Sequence, residues 1–115
     1  MDFNNQHPIF MQIAAMIMDS ILEKEVHAGE RIQSVRELAG HVQVNPNTVQ
    51  RAFSYLQDQG VIFNQRGVGY FVSDDAFDKI KSLKREEFIK EFLPELFRRM
   101  DHLNISIDDL KQYKA

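Results

Sequence analysis

Residues 34–60 read SVRELAGHVQVNPNTVQRAFSYLQDQG, and this run decides the fold. It opens on Ser34-Val35-Arg36-Glu37. Serine followed three residues later by glutamate is a capping box, in which each side chain satisfies a backbone N–H that a helix start leaves orphaned. Val35, Leu38, Ala39 and Val42 then make one apolar face. Asn45-Pro46 announces a second start, with asparagine as cap and proline as first helical residue, where a missing N–H costs nothing. The spacing predicts a helix on to Gln59 with Val49, Ala52, Phe53 and Leu56 inward, and Gly60 as its left-handed C-cap. Two helices with so short a connection have the layout of a helix-turn-helix.

The flanks complete the domain. Upstream, Ile9, Ile13, Ile17 and Ile21 recur every fourth residue, with Phe10, Ala14 and Met18 beside them. That stripe predicts an amphipathic helix with Pro8 at its first turn and Gly29 marking its stop. Downstream the period changes. Val61-Ile62-Phe63-Asn64-Gln65 and Tyr70-Phe71-Val72-Ser73 are rich in strand formers, and Arg66-Gly67-Val68-Gly69 between them is a turn. The expectation is a β-hairpin, joined by a short strand near Arg31-Ile32. Helix, helix, helix, hairpin is a winged helix-turn-helix, so the fold class is mainly α with a small β-hairpin.

After Asp74 the composition shifts. Residues 75–115 hold nine basic and nine acidic residues and no glycine. Phe77 and Ile80 suggest a short helix. Phe88, Ile89, Phe92, Leu93, Leu96, Phe97, Met100 and Leu103 then repeat at threes and fours, with Pro94 expected to kink that helix or begin a new one. Ser106-Ile107-Asp108-Asp109 resembles a cap for a last short helix near Lys114. The expected organisation is a winged domain over 1–74 and a C-terminal helical dimerisation segment over 75–115. The seam needs a partner, and a two-fold related copy supplies one through Phe88, Phe92, Leu96 and Met100. A monomeric tail folded back on the first helix is the alternative.

Composition bounds what the chain does. It has 115 residues, no cysteine and a formal net charge of -3. Disulfides, thiolate metal sites and cysteine nucleophiles are therefore excluded. No apolar run approaches the ~20 residues of a membrane span. Met1-Asp2-Phe3-Asn4-Asn5 lacks a basic region followed by an apolar stretch, so no secretory signal is expected and a cytoplasmic protein is the default. Net acidity speaks mildly against a nucleic-acid partner, but its distribution does not. Residues 31–72 carry Arg31, Arg36, Arg51 and Arg66 against Glu37 and Asp58, a local balance of +2. All four cations are arginine, the residue that reaches phosphate and guanine in bidentate fashion.

Geometry gives those residues a destination. An α-helix fits the major groove, and the start of the second helix of the pair reaches base edges. Its exposed positions here are Asn47, Thr48, Gln50, Arg51 and Ser54. Asparagine and glutamine suit adenine, and arginine suits guanine. Asn45 and the N–H groups behind it suit a phosphate oxygen, and Arg36 is placed to clamp the backbone. The wing tip, Arg66-Gly67, offers an arginine and bare backbone to the minor groove.

Several spaced motifs now carry a resemblance: Pro8-Ile9-Phe10-Met11-Gln12-Ile13, Gly29 to Ala39, Val44-Asn45-Pro46-Asn47-Thr48-Val49, Gly60-Val61-Ile62 and Gly67-Val68-Gly69-Tyr70-Phe71-Val72. Over residues 8 to 73 the chain resembles the GntR family of bacterial transcription regulators. The Asn-Pro-Asn-Thr-Val variant and short tail are similar to its YtrA-like subfamily. The resemblance implies a homodimeric repressor on an inverted-repeat operator, with a short helical tail making the dimer. By it, Arg36, Thr48, Arg51 and Gly67 match DNA-contacting positions. Gln33 replaces a usual proline, Tyr70 a usual threonine, and Pro46 an arginine that contacts DNA in many members, which leaves recognition to Asn45 or Asn47.

Bland readings stand beside these. Arg36 and Arg51 can be solvated charges, Asn47, Thr48 and Gln50 a polar helix start, Asn45 a cap alone and Arg66-Gly67 an ordinary hairpin tip. His7, His27, His41 and His102 have no ligand spacing, so no metal or cofactor is expected. Met11, Met16 and Met18 suit core filling. Glu86, Glu87, Asp108 and Asp109 suit solvated helix faces rather than acid–base chemistry. No nucleophile elbow, phosphate loop or dinucleotide fingerprint is present, so no enzyme is expected. The expected partner is a double-stranded DNA operator; a winged-helix protein–protein adaptor is the alternative. The tail is too short to enclose an effector pocket, and an effector between two copies stays open.

Overall fold

The computed structural model describes residues 7–115, so the reading of Met1 to Asn5 lies outside the described residues. The chain divides into two compact units, Met1–Ser82 and Leu83–Ala115. The first contains helix α1 (Ile9–Leu22), α2 (Val35–Val42), α3 (Pro46–Asp58), strand β1 (Ile62–Gln65), strand β2 (Gly69–Val72) and the first part of α4 (Ala76–Glu87).

Each element starts where local chemistry dictates. Pro8 caps α1. The box at α2 is complete: Ser34 Oγ accepts from the Glu37 N–H at 3.1 Å, and Glu37 Oε1 accepts from the Ser34 N–H at 3.1 Å. The Ser34 backbone N–H first, and then the Ser34 hydroxyl, hold the Glu37 carboxyl below its ordinary 4.5. Gln43 closes α2 in the left-handed region at φ 54°. Asn45 Oδ1 accepts from the Asn47 N–H at 2.8 Å and so caps α3.

Ile13, Ala14, Ile17, Met18 and Ile21 of α1 are buried, while Ile9 is 58% exposed, so the four-residue stripe enters the core only after its first turn. α1 ends where its apolar pattern does, short of Gly29. It stops at Leu22, and Lys24 turns the chain with φ 62°. Gly29 lies seven residues on. There it serves a different purpose, donating its N–H to the Val72 carbonyl at 2.8 Å. That bond begins the contact of the Arg31 segment with the wing, where Arg31 pairs with Phe71 as one isolated bridge rather than a third strand.

β1 and β2 pair antiparallel, with Ile62 opposite Val72 and Gln65 opposite Gly69. Ile62 and Val72 point into the core at 1% and 0% exposure. Ala76 and Ile80 are buried to the same degree, which gives the first turns of α4 to this unit. A boundary at 74/75 and the geometric division at 82/83 differ by those turns.

In the second unit, a π-helical turn over Phe88–Phe92 precedes α5 (Leu93–Leu103), α6 (Ile107–Leu110) and a 3₁₀ turn at Lys111–Tyr113. The turn has a direct cause. Pro94 lacks an N–H and its ring crowds the preceding turn, so the ladder widens; the Leu93 N–H reaches back to the Phe88 carbonyl. α5 then begins with the proline in its first turn. Glu95 accepts hydrogen bonds from Arg98 and Arg99, which hold its carboxyl down at about 2. Ser106 and Asp109 form a second capping box.

Ser34→Ala removes one half of the α2 box and is expected to cost about 1 kcal/mol of stability in chemical denaturation at neutral pH. Glu37 has a lowered folded pKa, so its contribution is full above the ordinary value and fades as pH falls through the folded one. The gap between wild type and Glu37→Gln therefore narrows in acid; a gap independent of pH would show that the Glu37 carboxylate takes no part.

Candidate nucleic-acid interface

α3 is built in two halves around its axis. Val49, Ala52, Phe53 and Leu56 are all fully buried. At 3.6 residues per turn, Asn47, Gln50, Arg51 and Ser54 fall within about 100° of arc on the opposite side. All four are exposed, with Thr48 half-buried at the margin. Burial of one face thus presents a continuous polar face on the other.

The start of α3 is not an open anion site. Pro46 has no N–H. The Asn47 N–H is taken by the Asn45 side chain, and the Thr48 and Val49 N–H groups donate to the Asn45 carbonyl at 2.9 and 3.2 Å. The free N–H groups expected behind Asn45 are therefore already satisfied. What Asn45 presents outward is its side-chain amide NH₂, since the cap occupies only Oδ1.

Two polar residues of the face are held by neighbours. The Arg51 guanidinium lies 4.2 Å from the centroid of the Phe10 ring of α1. Stacking leaves the edge of the guanidinium and its donors free while limiting where they travel. Gln50 Nε2 donates to the Tyr70 hydroxyl at 3.4 Å, linking α3 to β2. Tyr70 in turn sets its ring edge-on to Phe53, with centroids 4.9 Å apart and planes at 85°. Tyr70 is thus the strut between α3 and the wing. Neither it nor Phe10 stood out in sequence as part of the site, because no short-range pattern reports a contact between residues 20 or 41 positions apart.

At the wing tip the Val68 N–H donates to the Gln65 carbonyl at 2.9 Å, closing a turn with Gly67 in its third position. Gly67 has φ 79°, which disfavours any residue with a Cβ, and open space surrounds it. Arg66 is exposed beside it, as is Arg36 on the first turn of α2. At the turn end of β2 a Cβ on Gly69 would stand 2.6 Å from Arg31 Nε, so the glycine lets the Arg31 guanidinium lie against the strand.

A family model described as bacterial regulatory proteins, gntR family, matches residues 10–72. The chain belongs to that family. Among relatives, it is similar to the HTH-type transcriptional repressor YtrA of Bacillus subtilis, 30% identical over 112 residues that cover 97% of this chain and 85% of that one. Among solved structures, a GntR-family transcriptional regulator from Bacteroides thetaiotaomicron is 44% identical, with a TM-score of 0.74 and 91% of each chain covered. The DNA-binding domain of AraR, solved in complex with its operator ORX1, matches at 25% identity and a TM-score of 0.57, covering 58% of this chain and 81% of that one. The GntR winged helix-turn-helix is therefore the fold of the first unit.

Tyr70→Phe keeps the ring pair and gives up one exposed hydrogen bond, so thermal unfolding should register a change within about 0.5 kcal/mol. Tyr70→Ala also removes the edge-on pair and is expected to cost more than about 1 kcal/mol. Equal midpoints for the two variants would show that the strut carries no weight.

Proposed function

We propose that the chain is a homodimeric, sequence-specific DNA-binding transcriptional repressor without enzymatic activity. The observation that carries the reading is the polar face of α3, turned outward by a fully buried opposite face and flanked by an exposed wing tip. In this reading α3 enters the major groove, where Asn47, Thr48, Gln50 and Arg51 address base edges. Arg36 and the Asn45 amide hold phosphates on either side of the turn. Arg66 and Gly67 enter the neighbouring minor groove. The AraR–operator complex supports the reading, since a chain of the same domain fold is there seated on its operator.

The partner copy is drawn to the second unit. Phe88, Ile89, Phe97 and Leu103 are 43–67% exposed there. Phe88 stacks on Phe92 with centroids 4.8 Å apart, which fixes a broad aromatic surface. Leu96 is half-buried beside it. Met100 is 5% exposed within a single chain, so it supports this surface from below rather than offering area to a partner. Two-fold pairing through this surface presents two copies of α3, so the operator is an inverted repeat with half-sites a helical turn or a multiple apart.

Gel shifts against the DNA upstream of the protein's own gene test the first part. Wild type is expected to bind, with affinity falling steeply as salt rises. Arg36→Ala and Arg51→Ala should each weaken binding by about tenfold or more. Equal binding by variant and wild type, or no binding by wild type, overturns the reading; the second result would favour a protein–protein adaptor.

Sedimentation equilibrium tests the second part. Wild type should behave as a dimer and Phe97→Asp as a folded monomer with weakened operator binding. A wild-type monomer, or a Phe97→Asp dimer, overturns the assignment of the interface.

A further inference from the structure

Arg31 has no part in the DNA-binding surface described so far, yet it is built into the wing. Its main chain pairs with Phe71 of β2 as an antiparallel bridge. On either side of that bridge, the Ile32 N–H donates to the Tyr70 carbonyl and the Val72 N–H to the Glu30 carbonyl, both at 2.9 Å. Side chains alternate along a strand, and paired residues share a face. Ile62 and Val72 point into the core, so Phe63, Phe71 and Gly69 belong to the outer face of the hairpin. Phe63 and Phe71 stack there with centroids 5.7 Å apart. Arg31, as the bridge partner of Phe71, lies on that face too.

From the bridge the Arg31 side chain runs toward the turn. A Cβ on Gly69 would meet its Nε at 2.6 Å and its Cζ and Nη2 at 3.4 Å. Gly69 and Gln65 are the last pair before the turn. The guanidinium is thus laid along bare backbone, directly behind the tip that carries Arg66 and Gly67. Arg31 is exposed, and among the described residues no carboxylate forms an ion pair with it. Glu37 is held by Ser34 and feels the Arg31 charge only after those bonds. Glu30 gives a carboxylate oxygen to the His27 N–H at 2.7 Å. A positioned cation with no counter-charge in the fold is a ready partner for an anion from outside it.

We propose that Arg31 contacts a DNA phosphate at the lip of the minor groove that the wing tip enters. The proposal rests on the DNA-binding reading and deepens it. Two residues separate Gly69 from Gly67, so at about 3.4 Å per residue the guanidinium sits about 7 Å behind the tip. The minor groove of B-DNA is about 7.5 Å deep. A tip at the floor of the groove therefore sets the Arg31 head level with its walls, where phosphate oxygens stand and base edges do not. The guanidinium fork suits such oxygens. The contact adds affinity without reading sequence.

Fluorescence anisotropy of the full chain tests this, with wild type, Arg31→Gln and Arg31→Lys. Each is titrated on the DNA upstream of its own gene and on an unrelated duplex of equal length, between about 50 and 200 mM salt. Arg31→Gln should weaken binding to both duplexes by about fivefold per bound copy near 0.15 M salt, and flatten the log–log salt slope by about 0.9 per copy. Arg31→Lys keeps the charge and should keep the slope. Main-chain atoms make the bridge to Phe71, so the thermal midpoint of Arg31→Gln should match wild type. A lowered midpoint with Arg31→Lys as weak as Arg31→Gln would mark a structural arginine and overturn the contact. A loss on the upstream DNA alone with the slope unchanged marks a base contact and overturns it too. Equal affinity and slope for wild type and Arg31→Gln overturn the contact while the DNA-binding reading stands. Wild type that binds neither duplex overturns that reading and the contact with it.

Discussion

The burial of Val49, Ala52, Phe53 and Leu56 is the constraint on which the rest of the first unit depends. All four are 0% exposed. An α-helix has a single rotational phase, so fixing four side chains inward fixes every other side chain outward. Burial of Val49, Phe53 and Leu56 contributes roughly 1.5–3 kcal/mol each, far more than any surface contact on the polar face. No rearrangement of Asn47, Gln50 or Arg51 can turn the helix against that sum. Phe53 adds a second consequence, since the Tyr70 ring rests edge-on against it and ties the hairpin to the same core.

The polar face is consequently less free than its composition suggests. Arg51 is stacked on Phe10, and Gln50 reaches the Tyr70 hydroxyl. Holding a long side chain before it meets a ligand reduces the conformational entropy lost on binding. The backbone N–H groups at the start of α3 are taken by Asn45, so what α3 offers there is side chains. These are small effects individually, and together they give a face whose donors are placed rather than merely present.

The second unit follows a different logic. Its charges are balanced in sign, and its ion pairs are exposed pairs three or four residues apart along helices, as at Lys90–Glu86 and Arg98–Glu95. Such pairs support a helix by a few tenths of a kcal/mol each. Its aromatic residues remain on the surface of the single chain. Pro94 widens the helix into a π-turn without ending it, so the apolar repeat continues across the proline with its phase locally shifted.

The amino-acid sequence by itself determined the caps, the periods and the turn. Ser34 with Glu37, Asn45 with Pro46, and Gly67 at positive φ are effects of neighbours within four residues, and short-range chemistry is legible in order along the chain. The buried face of α3 was legible for the same reason. Three features were not. Gly29 does not stop α1, since Lys24 at φ 62° has already turned the chain after Leu22. The N–H groups behind Asn45 are consumed by the cap itself. The Arg51–Phe10 and Gln50–Tyr70 contacts arise where distant segments meet. Only tertiary structure decided these, because packing selects partners by proximity in space, and periodicity records which side of a helix is buried but not what it is buried against.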